Sequence, residues 1–114
     1  MTPDVTITGG FNDQVGSALS SGDFDSDGKR DLAIGATGDS LDAGAGAVSG
    51  YNGSSRTSSM DKASASLSIT GEATSYFGSS IGAGDFNSDG RIDIAVGASG
   101  YSSSTGMAYI FYND

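Results

Sequence analysis

Between Asp31 and Ala36 the chain reads Asp-Leu-Ala-Ile-Gly-Ala, and between Asp93 and Ala98 it reads Asp-Ile-Ala-Val-Gly-Ala. Large apolar and small residues alternate there with a period of two, the pattern of a strand rather than a helix. The small-residue runs Gly16–Phe24 and Gly78–Phe86, which come just before, also read as strands. Further strands are predicted at Ala47–Tyr51, at Met107–Tyr112 and at Ser66–Thr70, whose pattern recurs at Asp4–Thr8. The chain is predicted to be all-β, with its first two strands in each half joined as a hairpin.

These strands belong to a repeat. Ile7–Gly38 aligns without gaps on Ile69–Gly100, with 16 of 32 positions identical. A repeat of about sixty residues is long for a solenoid unit but suits a four-stranded propeller blade with its loops. The repeats divide the single domain 1–114 at residues 1–62 and 63–114. Blade 1 runs from Val15 to Thr70 and is complete, whereas blade 2 runs from Phe77 to Asp114 and lacks its outer strand. Asp4–Thr8 can supply that strand from another copy, across the seam of a closed ring, so that no sheet edge is left open. The ring would be completed by oligomerisation or by repeats not present in this chain.

The turn between the first two strands of each blade carries the candidate chemistry. It reads D-F-D-S-D-G-K-R-D at Asp23–Asp31 and D-F-N-S-D-G-R-I-D at Asp85–Asp93. Oxygen-bearing side chains stand at positions 1, 3, 5 and 9, with glycine at position 6. A hard cation such as Ca²⁺ takes six to eight oxygens, and alternating acidic side chains on a tight turn supply them. Without a cation, each close carboxylate pair would repel by roughly 1–4 kcal/mol near a protein surface. The expected ligands are Asp23, Asp25, Asp27 and Asp31 in one site and Asp85, Asn87, Asp89 and Asp93 in the other. At position 7, Lys29 and Arg91 can offer only their backbone carbonyls, since a cationic side chain cannot ligate a metal. An EF-hand is excluded, because position 12 is Ile34 or Val96 instead of Glu, and strands flank the loop where helices should be.

Composition changes the picture in two ways. The formal charge of −9 disfavours nucleic acid and anionic membrane surfaces as partners. Seven of the 14 acidic residues lie in the two loops, so two bound Ca²⁺ would bring the charge from −9 to −5. The chain has neither His nor Cys, and Glu72 is its only glutamate. That removes imidazole acid–base chemistry and thiol nucleophiles, so no enzymatic activity is expected. Nothing approaches the ~18 apolar residues of a membrane span.

The stretch Phe77-Gly78…Gly84-Asp85-Phe86-Asn87-Ser88-Asp89-Gly90-Arg91-Ile92-Asp93…Gly97-Ala98-Ser99 resembles the FG-GAP repeat of integrin α-subunit-type β-propellers. The first copy is similar, with Val15-Gly16 in place of Phe-Gly and Gly35-Ala36-Thr37 at its end. The resemblance spans Val5 to Phe111. It implies four-stranded blades with Ca²⁺ in the hairpin between strands 1 and 2, rings of about seven blades, and a role in adhesion or recognition, with sugars bound by some related propellers.

Two expectations about partners follow. A two-blade chain should associate with itself, three copies giving six blades and four giving eight, with the homotrimer favoured and the homotetramer next. The loops on the face opposite the metal hairpins carry Phe11, Asp13, Asp39, Asp42, Tyr76 and Tyr101, candidates for contact with a glycan or an extracellular protein. Against this, Phe11 or Tyr76 could equally staple a loop to its blade. Asn52-Gly53-Ser54 fits the N-glycosylation pattern. A calcium module suits an extracellular or secreted parent protein. No signal peptide precedes Asp4, so the chain reads as an excised or engineered piece of one.

Overall fold

The computed structural model describes residues 1–38, 44–53, 59–61 and 65–114. Their strands are β1 (Thr6–Thr8), β2 (Val15–Gly22), β3 (Asp31–Ala36), β4 (Ala47–Tyr51), β5 (Ser59–Asp61), β6 (Leu67–Thr70), β7 (Phe77–Gly84), β8 (Asp93–Ala98) and β9 (Met107–Phe111). Strands β2-β3-β4-β6 form an antiparallel sheet in that order, and β7-β8-β9 form a second one. These are the two blades expected, one with four strands and one with three. The one helical segment among the described residues is an irregular turn at Tyr101–Ser104, with Ser102 and Ser103 in the left-handed region.

The repeat reaches into backbone detail. Both inner strands carry a bulge, between Val15 and Ala18 and between Phe77 and Ser80, where Gly16 and Gly78 adopt φ of 99° and 90°. Only glycine takes such values without strain.

Strand register assigns the faces. In the first blade Ala33 and Val48 share one face, while Ile34 and Tyr51 share the other. Ala33 and Val48 pack against Phe77, Ile94, Val96 and Ala98 of the second blade, forming the main core. The blades meet closely because residues at the joint are small. A Cβ on Gly35 would collide with the Gly78 carbonyl oxygen, and one on Gly46 with the Phe77 carbonyl. Gly35→Ala should therefore force the blades apart and lower stability by about 1–3 kcal/mol, as overpacking of a close-packed core does. A urea denaturation midpoint equal to wild type would contradict this packing.

Part of the far face of the first blade is covered from within the chain. Ile7 of β1 packs with Val15, Leu32 and Ala65 on the buried Ile34 and Tyr51. Here β1 pairs in parallel with β5, a pairing the sequence pattern did not predict. Beyond β9, no described strand occupies the fourth position of the second blade.

Candidate metal centres

Each candidate metal loop closes a hairpin between two strands locked in register, so its side chains are held from both ends. In the first loop, Asp23 accepts the N–H of Asp27 (3.0 Å) on Oδ1 and that of Gly28 (2.8 Å) on Oδ2. Asp25 accepts Asp27 N–H at 3.1 Å, and Asp27 accepts Lys29 N–H at 2.8 Å. The second loop repeats this frame position by position. Asp85 takes Asp89 N–H (3.0 Å) and Gly90 N–H (2.8 Å), Asn87 takes Asp89 N–H (3.3 Å), and Asp89 takes Arg91 N–H (2.9 Å). Ser26 and Ser88 both turn through positive φ, and Gly28 and Gly90 follow at 83° and 86°.

The first loop brings together carboxylate oxygens of Asp23, Asp25 and Asp27, all within 4.8 Å of one another. Ca²⁺ binds oxygen at 2.3–2.6 Å, so ligands across one ion lie up to about 5 Å apart. The cluster thus fits a single ion of that size. The Asp25 carboxyl is pushed above the usual range by desolvation, with the charges of Asp31 and Asp27 adding to the shift and the Asp27 N–H opposing it. In the second loop the Asn87 amide stands in the place of Asp25 and donates to Asp89 Oδ2 at 3.3 Å.

Position 9 differs from the others. Asp31 is 6% exposed and Asp93 only 1%, and neither belongs to the open cluster that Asp23, Asp25 and Asp27 form among the described residues. Asp31 accepts Phe24 N–H (2.9 Å) and Gly53 N–H (2.8 Å), one on each oxygen. Asp93 does the same with Phe86 N–H and Asn113 N–H, both at 2.9 Å. Each side chain ties the loop to the segment just after the third strand. A carboxylate oxygen accepts two hydrogen bonds, so each retains a free lone pair for a metal.

Two asparagines of this region were not singled out as site residues by the sequence. The Asn52 side chain donates to Asp25 Oδ2, which places it at the metal loop. Asn113 donates from Nδ2 to the Phe24 carbonyl at 2.8 Å, linking the end of the second blade to the first loop.

The candidate ligand residues of the opposite loops divide differently. Phe11 is 87% exposed. Asp13 is buried, and its carboxylate accepts Gly10 N–H at 2.6 Å while its carbonyl accepts Gly38 N–H. Tyr76 is partly exposed, its ring lying against Gly44 and Gly100. Tyr101 packs on the main core. Asp39 and Asp42 lie outside the described residues, as does Ser54 of the Asn52-Gly53-Ser54 pattern. Among the described residues, no helix is long and apolar enough to cross a membrane.

No curated protein sequence was found to match the chain. The family model for the FG-GAP repeat matches twice, at residues 15–51 and 77–111. Those spans run from the first strand of each blade through its metal loop to the third strand. With both blades matched and the loop geometry repeated in each, the chain belongs to the FG-GAP repeat family.

Proposed function

We propose that the chain is a calcium-stabilised, non-catalytic pair of propeller blades that associates head to tail with further copies into a closed ring, acting outside the cell as a scaffold or recognition surface. The observation that carries this reading is the identity of the two loop frames, hydrogen bond for hydrogen bond. A solvated acidic turn has no reason to hold three carboxylates at one point in the first loop and to repeat the same backbone cradle in the second. The side chains of Asp23, Asp25 and Asp27, and of Asp85, Asn87 and Asp89, would hold one ion each. The carbonyls of Lys29 and Arg91 and the free lone pairs of Asp31 and Asp93 would complete the shells. The bound ion would neutralise carboxylates that otherwise repel, and so fix the hairpin that ends the blade. Three copies would make a ring of six blades, the size we favour over eight.

For sites with Kd on the order of 0.1 mM in ~1 mM calcium, mass action contributes about 1.4 kcal/mol per site. A chelator should therefore lower the melting temperature, and added calcium should restore it. Titration calorimetry tests the ligands themselves. The second site has one fewer charge, so Asn87→Asp should tighten it and Asp25→Asn should weaken the first, because affinity follows ligand charge. If neither substitution changes affinity, the loops are not the metal sites.

A further inference from the structure

We infer that the N-terminal strand β1 already stands where the fourth strand of a preceding blade belongs, and that the space beside it on the first blade is the seat for the three-stranded blade of a second copy. The inference rests on the head-to-tail reading above and names its joint.

The placement of β1 follows from the repeat. Within the chain, β6 is the fourth strand of the first blade and leads through Gly71–Tyr76 into β7. The loop Gly9–Gln14 leads from β1 into β2 in the same conformation. Asn12 and Thr74 share φ near 60°, and Gln14 and Tyr76 take 55° and 50°. Gly38 N–H donates to the Asp13 carbonyl as Gly100 N–H does to that of Ser75. Ile69 of β6 packs on the cluster holding Phe77, Ile94 and Val96. Ile7 of β1 packs on Ile34 with Val15 and Leu32, the matching positions of the first repeat. So β1 sits against the first blade as β6 sits against the second. What the first blade lacks beside β1 is three strands, and the second blade is a three-stranded sheet without a fourth.

The two free faces also match in detail. At the joint inside the chain, the Gly78 bulge presses on Gly35, Gly46 bridges Phe77, and Ile81 packs against the core. One repeat away, the corresponding residues are Gly16 against Gly97, Gly106 with Val15, and Leu19. Gly16 and Gly106 hold φ of 99° and 83°, as their counterparts do, yet among the described residues, chain neighbours aside, no heavy atom lies within 3.5 Å of a Cβ built on either. Leu19 is 61% exposed, and Ile110, on the outer face of the second blade, is 50% exposed. One hydrogen bond is not repeated: Ser75 donates to the Ala45 carbonyl, but its counterpart Asp13 turns back to Gly10. Docking would bring β9 beside β1 as an antiparallel pair. Where β5 holds that edge, a three-residue parallel pairing is exchanged for an antiparallel one, the more stable ladder per residue. The interface is heterologous, so repetition closes into a ring or propagates.

Sedimentation equilibrium in calcium tests the joint with Leu19→Lys and Ile110→Lys, both at side chains exposed within one chain. Wild type should sediment as a ring, and each variant alone as a monomer with unchanged strand circular dichroism. An equimolar mixture of the two should give a heterodimer, since it restores one intact joint per pair. Gly82→Lys, at a strand glycine with open space where its Cβ would stand, should behave as Ile110→Lys does. A monomeric wild type at micromolar concentration would overturn the head-to-tail reading itself. An oligomeric wild type whose variants remain oligomeric would overturn this joint alone, and so would a mixture that stays monomeric.

Discussion

Replacing Asp93 with alanine should lower the stability of the chain by about 3–5 kcal/mol. The carboxylate is almost fully buried and holds two backbone N–H groups, those of Phe86 and Asn113. Hydrogen bonds to a charged acceptor are worth roughly 1.5–3 kcal/mol each, and their loss leaves both donors unsatisfied in a buried site. These bonds do not need a metal. Urea unfolding with chelator present should therefore retain most of the effect. Asp25→Ala provides the contrast, because Asp25 lies at the exposed end of its loop. Its loss should matter in calcium and little in chelator. If Asp93→Ala proved as mild as Asp25→Ala in chelator, position 9 would be a metal ligand only and not the brace of the hairpin.

Phe77→Ala should be about as damaging, at roughly 3–5 kcal/mol, the range for truncating a buried aromatic residue. Its ring meets Tyr109 edge to face at 5.5 Å and Phe111 at 6.3 Å, in the core shared by the two blades. Such aromatic pairs contribute beyond their buried area. A folded domain is stable by only about 5–15 kcal/mol, so this one change should consume much of the margin. Val15 is the matching residue in the first repeat and is only half-buried within the chain. Val15→Ala should change the urea midpoint far less. Equal effects at the two positions would mean that the joint between the blades is not what holds the chain together.

Most of the fold was legible because its signals are local. Period-two alternation around Ile34 and Val96 placed β3 and β8 to the residue, and the repeat placed their partners within a residue or two. The loops were legible for the same reason: nine consecutive residues carry both the turn and its oxygen atoms. What the residues alone could not rank was the work of the four acidic positions. Asp23 and Asp31 look equivalent in sequence, yet one faces its loop and the other is buried as a brace. That difference depends on Gly53 N–H arriving from the turn after β4, 22 residues away. Asp13 shows the same limit, since an acidic residue in a polar loop reads as exposed until the backbone folds over it.

By itself, then, the sequence determined the strands of the two blades, the hairpin turns, the two acidic loops and their place in the repeat, all of which follow from backbone preferences and side-chain order over a few residues. The tertiary structure decided which sheet face meets which, because contact between Gly35 and Gly78 depends on how two sheets stack and not on either segment. It decided that Asn113 reaches the Phe24 carbonyl, a bond between residues 89 positions apart. It also decided where β1 lies. A three-residue strand has too little local preference to choose a partner, and it is the apolar face of Ile34 and Tyr51 that holds it in place.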